Sequence, residues 1–123
     1  MLRVMVIEGN PSLARLYREE LEEAGFGVWL CRDLRGAVES LRRSPVDILI
    51  TDLDTVPSRP EYWLGTLRQV HDGEVLLLGR GNRRLGRIKD LRVVDKSSDL
   101  SSLVTTLRRL APSLLWNRAA GNS

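Results

Sequence analysis

Acidic residues and one of only two lysines stand where short apolar runs end. Glu8 closes RVMVI and precedes Gly9-Asn10, Asp52 closes DILIT and precedes Leu53-Asp54, Gly79 follows EVLLL, and Asp95-Lys96 follows LRVV. Carboxylates gathered with a lysine at one rim offer oxygen donors to a cation and an ammonium group to an anion. Mg²⁺ takes near-octahedral oxygen ligands, commonly one or two carboxylates with waters and phosphate oxygens. Glu8 and Asp52 are carboxylates of the kind such a cation takes. Asp54, two residues beyond Asp52, falls on the same side of an extended chain and offers a displaced third. Plainer roles compete: Asp52 as a solvated turn acid, Lys96 as its structural ion-pair partner, and Glu8 as a carboxylate favoured by a helix N-terminus.

The elements that must position these residues alternate. Residues 3–7 are too short for a helix and rich in β-branched side chains, as in a buried strand. Asn10 can then cap a helix opening at Pro11, with Leu13, Leu16, Tyr17, Leu21 and Ala24 on one face and Gly25 at its end. The unit repeats. A strand over 27–31 leads to Asp33 as cap and a helix with Leu34, Ala37, Val38 and Leu41 inward, stopping near Ser44-Pro45. A strand over 47–51 is followed by a loop and a helix starting at Pro60, striped with Trp63, Leu64, Leu67 and Val70. Strands over 74–78 and 91–94 and a last helix from near Ser98, burying Leu100, Leu103, Val104 and Leu107, complete the series. Between residues 79 and 92 three glycines leave room only for a short or irregular fourth helix. Apolar strands alternating with helices belong to a parallel sheet covered on both faces, an α/β fold. In such sheets ligands gather beyond the carboxyl ends of the strands, which is where Glu8, Asp52, Gly79 and Lys96 fall.

At 123 residues, 42% hydrophobic and 28% charged, the chain forms one domain with its own core. Residues 1–110 are expected to form that domain and 111–123 a C-terminal tail, either frayed or with Leu114, Leu115 and Trp116 as one docking turn; Trp116 fits no periodic element. The single cysteine, Cys31, has no CxxC or Cys/His companion, as suits a reducing cytoplasm. No apolar run approaches the roughly 20 residues of a membrane span, so neither export nor membrane insertion is expected. Net charge is +3, with 8 basic and 11 acidic residues in the first 62 positions against 11 and 5 in the rest. The basic excess is most simply solubilising surface.

The run VMVIEGNPSLARLYREELEEAGFGV, then DILITDLD, VLLLG and VVDK, resembles the receiver domain of two-component response regulators over residues 2 to 110. The resemblance implies a flavodoxin-like (βα)5 doubly wound sheet of order 2-1-3-4-5, here with a shortened fourth helix. It makes Asp52 the phospho-acceptor for a histidine kinase and Glu8 and Asp52 Mg²⁺ ligands, with Asp54, by its spacing from Asp52, the candidate for a displaced third. Lys96 and residue 79 are the phosphoryl-binding positions. Besides the shortened fourth helix and a VPSRP in place of the PGxDG that follows the aspartate, the chain departs from the family pattern in these places. The second acid after strand one is Gly9, the Thr or Ser after strand four is Gly79, the proline after the lysine is Ser97, and strand five offers no aromatic. These departures imply a degenerate, or pseudo, receiver. It would act through contacts with a histidine kinase, an output protein or a second copy, with phosphorylation at Asp52 weak or lost. A conventional Mg²⁺-dependent phospho-acceptor is the alternative.

Other motifs point less far. Arg80, Arg83, Arg84, Arg87, Lys89 and Arg92 face only Asp90 in charge. Such a loop can grip nucleic-acid or nucleotide phosphates, but no aromatic is interleaved for base stacking, and a solvated loop is the simpler reading. The GNPS turn lacks the glycine spacing and lysine of a P-loop. His71 reads as a capping or surface residue, and Trp29 and Trp63 as core or half-buried. No nucleophile–base pair, histidine cluster or cofactor fingerprint suggests an enzyme.

Overall fold

The computed structural model describes residues 1–53, 60–79, 91–95 and 100–119, with backbone alone for 60–62, 91, 95 and 117–119. Five strands, β1 (Arg3–Ile7), β2 (Gly27–Cys31), β3 (Ile48–Asp52), β4 (Glu74–Gly79) and β5 (Leu91–Asp95), form one parallel sheet of order β2-β1-β3-β4-β5. The helices are α1 (Pro11–Glu23), α2 (Leu34–Arg43), α3 (Pro60–Arg68) and α4 (Ser101–Ala119). This is the expected α/β architecture and strand order. The expected short fourth helix between 79 and 92 and the arginine-rich loop lie largely outside the described residues.

Strand alternation divides the core in two. Val4, Val6, Ile48, Ile50, Leu76, Leu78 and Val94 face one layer with Tyr17 and Leu21 of α1 and Leu103 and Leu107 of α4. Met5, Leu49, Val75 and Leu77 face the other, with Ala37 and Leu41 of α2 and Trp63, Leu64 and Leu67 of α3. Burial of both faces explains why the strands read as continuous apolar runs rather than alternating ones.

The helix ends follow the sequence signals. Asn10 Oδ1 accepts from the amides of Ser12 and Leu13, at 3.0 and 3.2 Å, and Asp33 Oδ1 accepts from Gly36 N at 2.8 Å. Gly25, at φ 99°, closes α1 in the left-handed conformation, with its amide on Glu22 O and that of Phe26 on Leu21 O. Four details differ from expectation. Leu16 is exposed, because the inward stripe centres on Ala14, Tyr17 and Leu21, one hundred degrees round the helix. Trp29 lies on edge strand β2 and is exposed, with the Arg3 guanidinium 5.6 Å from its ring centroid. His71 is not on the surface: it is buried, with Nε2 2.9 Å from Glu74 O. Position 110 falls inside α4, where Leu110, Ala111 and Leu114 pack on the first core layer and carry the helix past Pro112. Trp116 itself is exposed. No helix among the described residues is long and apolar enough to cross a membrane.

Candidate functional site

Strand order reverses between β1 and β3, and a crevice at the carboxyl ends of those two strands is where an open α/β sheet places its ligands. The register pairs Ile7 with Thr51, so Glu8 and Asp52 are the next residues on adjacent strands, about 4.8 Å apart in such a sheet. Both carboxylates are withdrawn from water: Asp52 is 0% exposed and Glu8 5%. By the two-residue period they continue the rows of Val4, Val6, Ile48 and Ile50, so both fall on the α1–α4 face of the sheet.

Backbone bonds hold the tips. Glu8 N donates to Cys31 O at 2.9 Å, which ties the end of β1 to β2, and Leu53 N donates to Leu78 O at 2.9 Å, which ties the end of β3 to β4. Glu8 Oε1 accepts from Asn10 N at 2.9 Å. One carboxylate oxygen is therefore committed to shaping the turn into α1, next to the Asn10 cap, and the helix N-terminus favours a negative charge there. Glu8 Oε2 and Asp52 Oδ2 are buried and carry no hydrogen bond, although both residues have further contacts of their own. Thr51 Oγ1 is likewise buried without a hydrogen bond.

Two buried carboxylates on neighbouring strand ends need compensating positive charge, because the interior disfavours ionised groups and like charges raise that cost. The donor set suits Mg²⁺ in kind: two hard oxygen ligands, each with a buried oxygen not used in a hydrogen bond. It is lean in number. Among the described residues no three His, Cys, Asp or Glu side chains gather as a metal site. The position after Glu8 is an exposed glycine. Asp54 and Lys96, the remaining metal and phosphoryl candidates, lie outside the described residues.

Gly79 is at the end of β4, paired with Asp95. A Cβ at this position would lie 2.6 Å from Leu53 Cδ1. The space that a residue-79 side chain would enter is filled by the leucine that follows Asp52. Sequence reasoning passed over Leu53. The available signal was the pairing of a large apolar residue after one strand with a glycine at the end of its neighbour.

The fold is that of a response regulator receiver domain. No known protein-family model matches the chain. Its sequence is 25% identical over 128 residues to the transcriptional regulatory protein CpxR of Escherichia coli K12, covering 100% of this chain and 55% of CpxR. The chain thus spans about half the length of the curated relatives it matches. Among solved structures it is similar to the response regulator TrrA of Thermotoga maritima in complex with Mg²⁺-BeF, with TM-score 0.74 and 22% identity over 89% of this chain and 99% of that one. A response regulator receiver domain protein of Bacillus halodurans gives TM-score 0.73 and 21% identity over 88% and 95%. TrrA is also seen in complex with the histidine kinase ThkA.

Proposed function

We propose that this chain is a two-component signalling module that works through protein contacts, with phosphorylation at Asp52 weak or lost, and that it is not an enzyme. The observation that carries the reading is the uneven state of the site. Asp52 is fully buried at the tip of β3 beside Glu8, while position 9 offers no carboxylate and position 79 no hydroxyl. When bound, Mg²⁺ would offset negative charge on the carboxylates and on an incoming phosphoryl group. Glu8 and Asp52 would hold it, with the Asn10 amide fixing how Glu8 is turned. With one acid fewer beside the metal, both binding and transfer are weakened. With no hydroxyl at 79, a phosphoryl group on Asp52 has no side-chain donor at that position.

The partners that fit are a histidine kinase, as TrrA has in ThkA, or an output protein, with a second copy of the chain as a further option. A cytoplasmic site of action goes with that reading. A conventional phospho-acceptor draws on the same two carboxylates and on the Mg²⁺-BeF complex of TrrA. The two readings separate in one experiment, incubation with acetyl phosphate and Mg²⁺ followed by intact mass. In the reaction an Asp52 oxygen attacks phosphorus, acetate leaves, and an acyl phosphate forms. Little or no added phosphoryl mass is expected. Stoichiometric labelling that disappears in Asp52→Asn would establish the conventional acceptor instead.

A further inference from the structure

The sheet order ends on β2, and the backbone of that strand is half used. Gly27 N donates to Leu2 O and Cys31 O accepts from Glu8 N, each at 2.9 Å, so Gly27, Trp29 and Cys31 turn their polar groups to β1. By the two-residue alternation, the amides and carbonyls of Val28 and Leu30 point the other way, along the outer edge. Edge strands normally carry a charge, a proline or a bulge against pairing with another chain. β5, at the other end of the sheet, has Arg92 and Asp95, with Arg92 Nε 3.4 Å from Glu74 Oε2. The β2 sequence GVWLC has no such device, and its register with β1 runs unbroken. Trp29 is exposed without lying across the edge: its indole folds back over Gly27, beside the Arg3 guanidinium of β1.

The two ends of β2 carry opposite charge. Exposed Arg32 follows the strand. Exposed Glu22 and Glu23 precede it at the end of α1, which has no basic residue in its last turn although a helix C-terminus favours one. Arg18 Nε, 3.6 Å from Glu22 Oε1, answers part of that charge. Asp33, next to Arg32, turns its carboxylate into the α2 cap. A strand with ends of opposite charge complements a copy of itself that runs antiparallel, as in an isologous two-fold contact.

We propose that β2 is a self-pairing edge, which joins two copies of this chain antiparallel about a two-fold axis at Trp29 into one continuous sheet. In that register Val28 of each copy faces Leu30 of the other, and the two exchange N–H···O bonds through the groups that point away from β1. Trp29 meets its symmetry mate in a non-hydrogen-bonded pair, with Cα atoms about 4.5 Å apart, where side chains are closest and aromatic pairs are favourable. Arg32 falls opposite Phe26 of the second copy, near the acidic end of that copy's α1. The pairing does not depend on phosphoryl chemistry at Asp52, so the labelling experiment and this one fail separately.

The test is sedimentation velocity on the 123-residue chain over a concentration series, joined to amide hydrogen exchange. Wild type is expected to dimerise as concentration rises, with exchange at Val28 and Leu30 slowing at least tenfold and exchange at Gly27 and Trp29 changing little. Trp29→Lys sets like charges opposite each other at the axis and should weaken the dimer at least tenfold. Arg32→Glu should weaken it too, and adding Glu23→Arg should restore it. Should Trp29→Lys lower Tm, the charge reversal and its rescue decide alone. A chain that stays monomeric up to about 1 mM would overturn the proposal and leave the edge to a strand from another protein. So would a dimer that both Trp29→Lys and Arg32→Glu leave intact, since its contact would lie on another face.

Discussion

A buried imidazole shows how a single residue can tie the stability of this molecule to pH. His71 is 3% exposed in the turn between α3 and β4, at the end of the sheet opposite Asp52. Burial lowers its pKa below the ordinary histidine value, against the upward pull of the bond to Glu74 O. Arg68 lowers it further, and Asp72 and Asp47 pull it up. The unfolded chain therefore takes up a proton that the folded chain resists. The stability His71 contributes is present above the unfolded value of about 6.5 and is lost as pH falls from there through the depressed folded value. Tm should drop between pH 7.5 and 5, and His71→Gln, which keeps a donor for Glu74 O, should flatten that drop. An unchanged slope in the variant would remove His71 as the cause. Sequence reasoning could not place this residue inside, since a lone histidine near a helix end carries no periodic signal. Leu53 was missed for a related reason: what it meets is the space beside a glycine 26 positions away across the sheet.

Elements were far more legible than contacts, because their signals are local. Pro11 after Asn10, Pro60, Asp33 and Gly25 each impose or complete a backbone geometry within four residues, and the helices begin or end accordingly. The exceptions have tertiary causes. α4 continues through Pro112 because Leu110, Ala111 and Leu114 find a packed layer to join. Leu16 faces outward because the layer is centred on Tyr17 and Leu21. The α1 cap invites a direct measurement. Asn10→Ala removes the oxygen that satisfies two orphan amides and should cost about 1 kcal/mol in urea unfolding. The backbone bond from Asn10 N to Glu8 Oε1 is not removed by that change. A loss below about 0.3 kcal/mol would mean that solvent replaces the cap without penalty.

At the scale of the whole molecule, function depends on a topological fact: residues 44 positions apart become neighbours because β1 and β3 pair in parallel and their rows end together. Strand ends with an acid at each made the neighbouring of Glu8 and Asp52 legible before any coordinates. What could not be read was their depth, because burial of Glu8 and Asp52 is decided by how the surrounding layers close over the strand tips. Depth sharpens the chemical question, since buried carboxylates need cationic help to accept a phosphoryl group. On the proposed reading the site is one metal ligand short, and Gly9 is the place where it is missing. Gly9 is exposed, so an added carboxylate meets solvent rather than core. The most direct measurement is Mg²⁺-dependent labelling of Asp52 by acetyl phosphate, followed by intact mass, in wild type and in Gly9→Asp. Scant labelling is expected in wild type and at least a tenfold faster rate in the variant, a gain of about 1.4 kcal/mol in transition-state stabilisation. Equal rates, or a wild type that labels to completion, would contradict it.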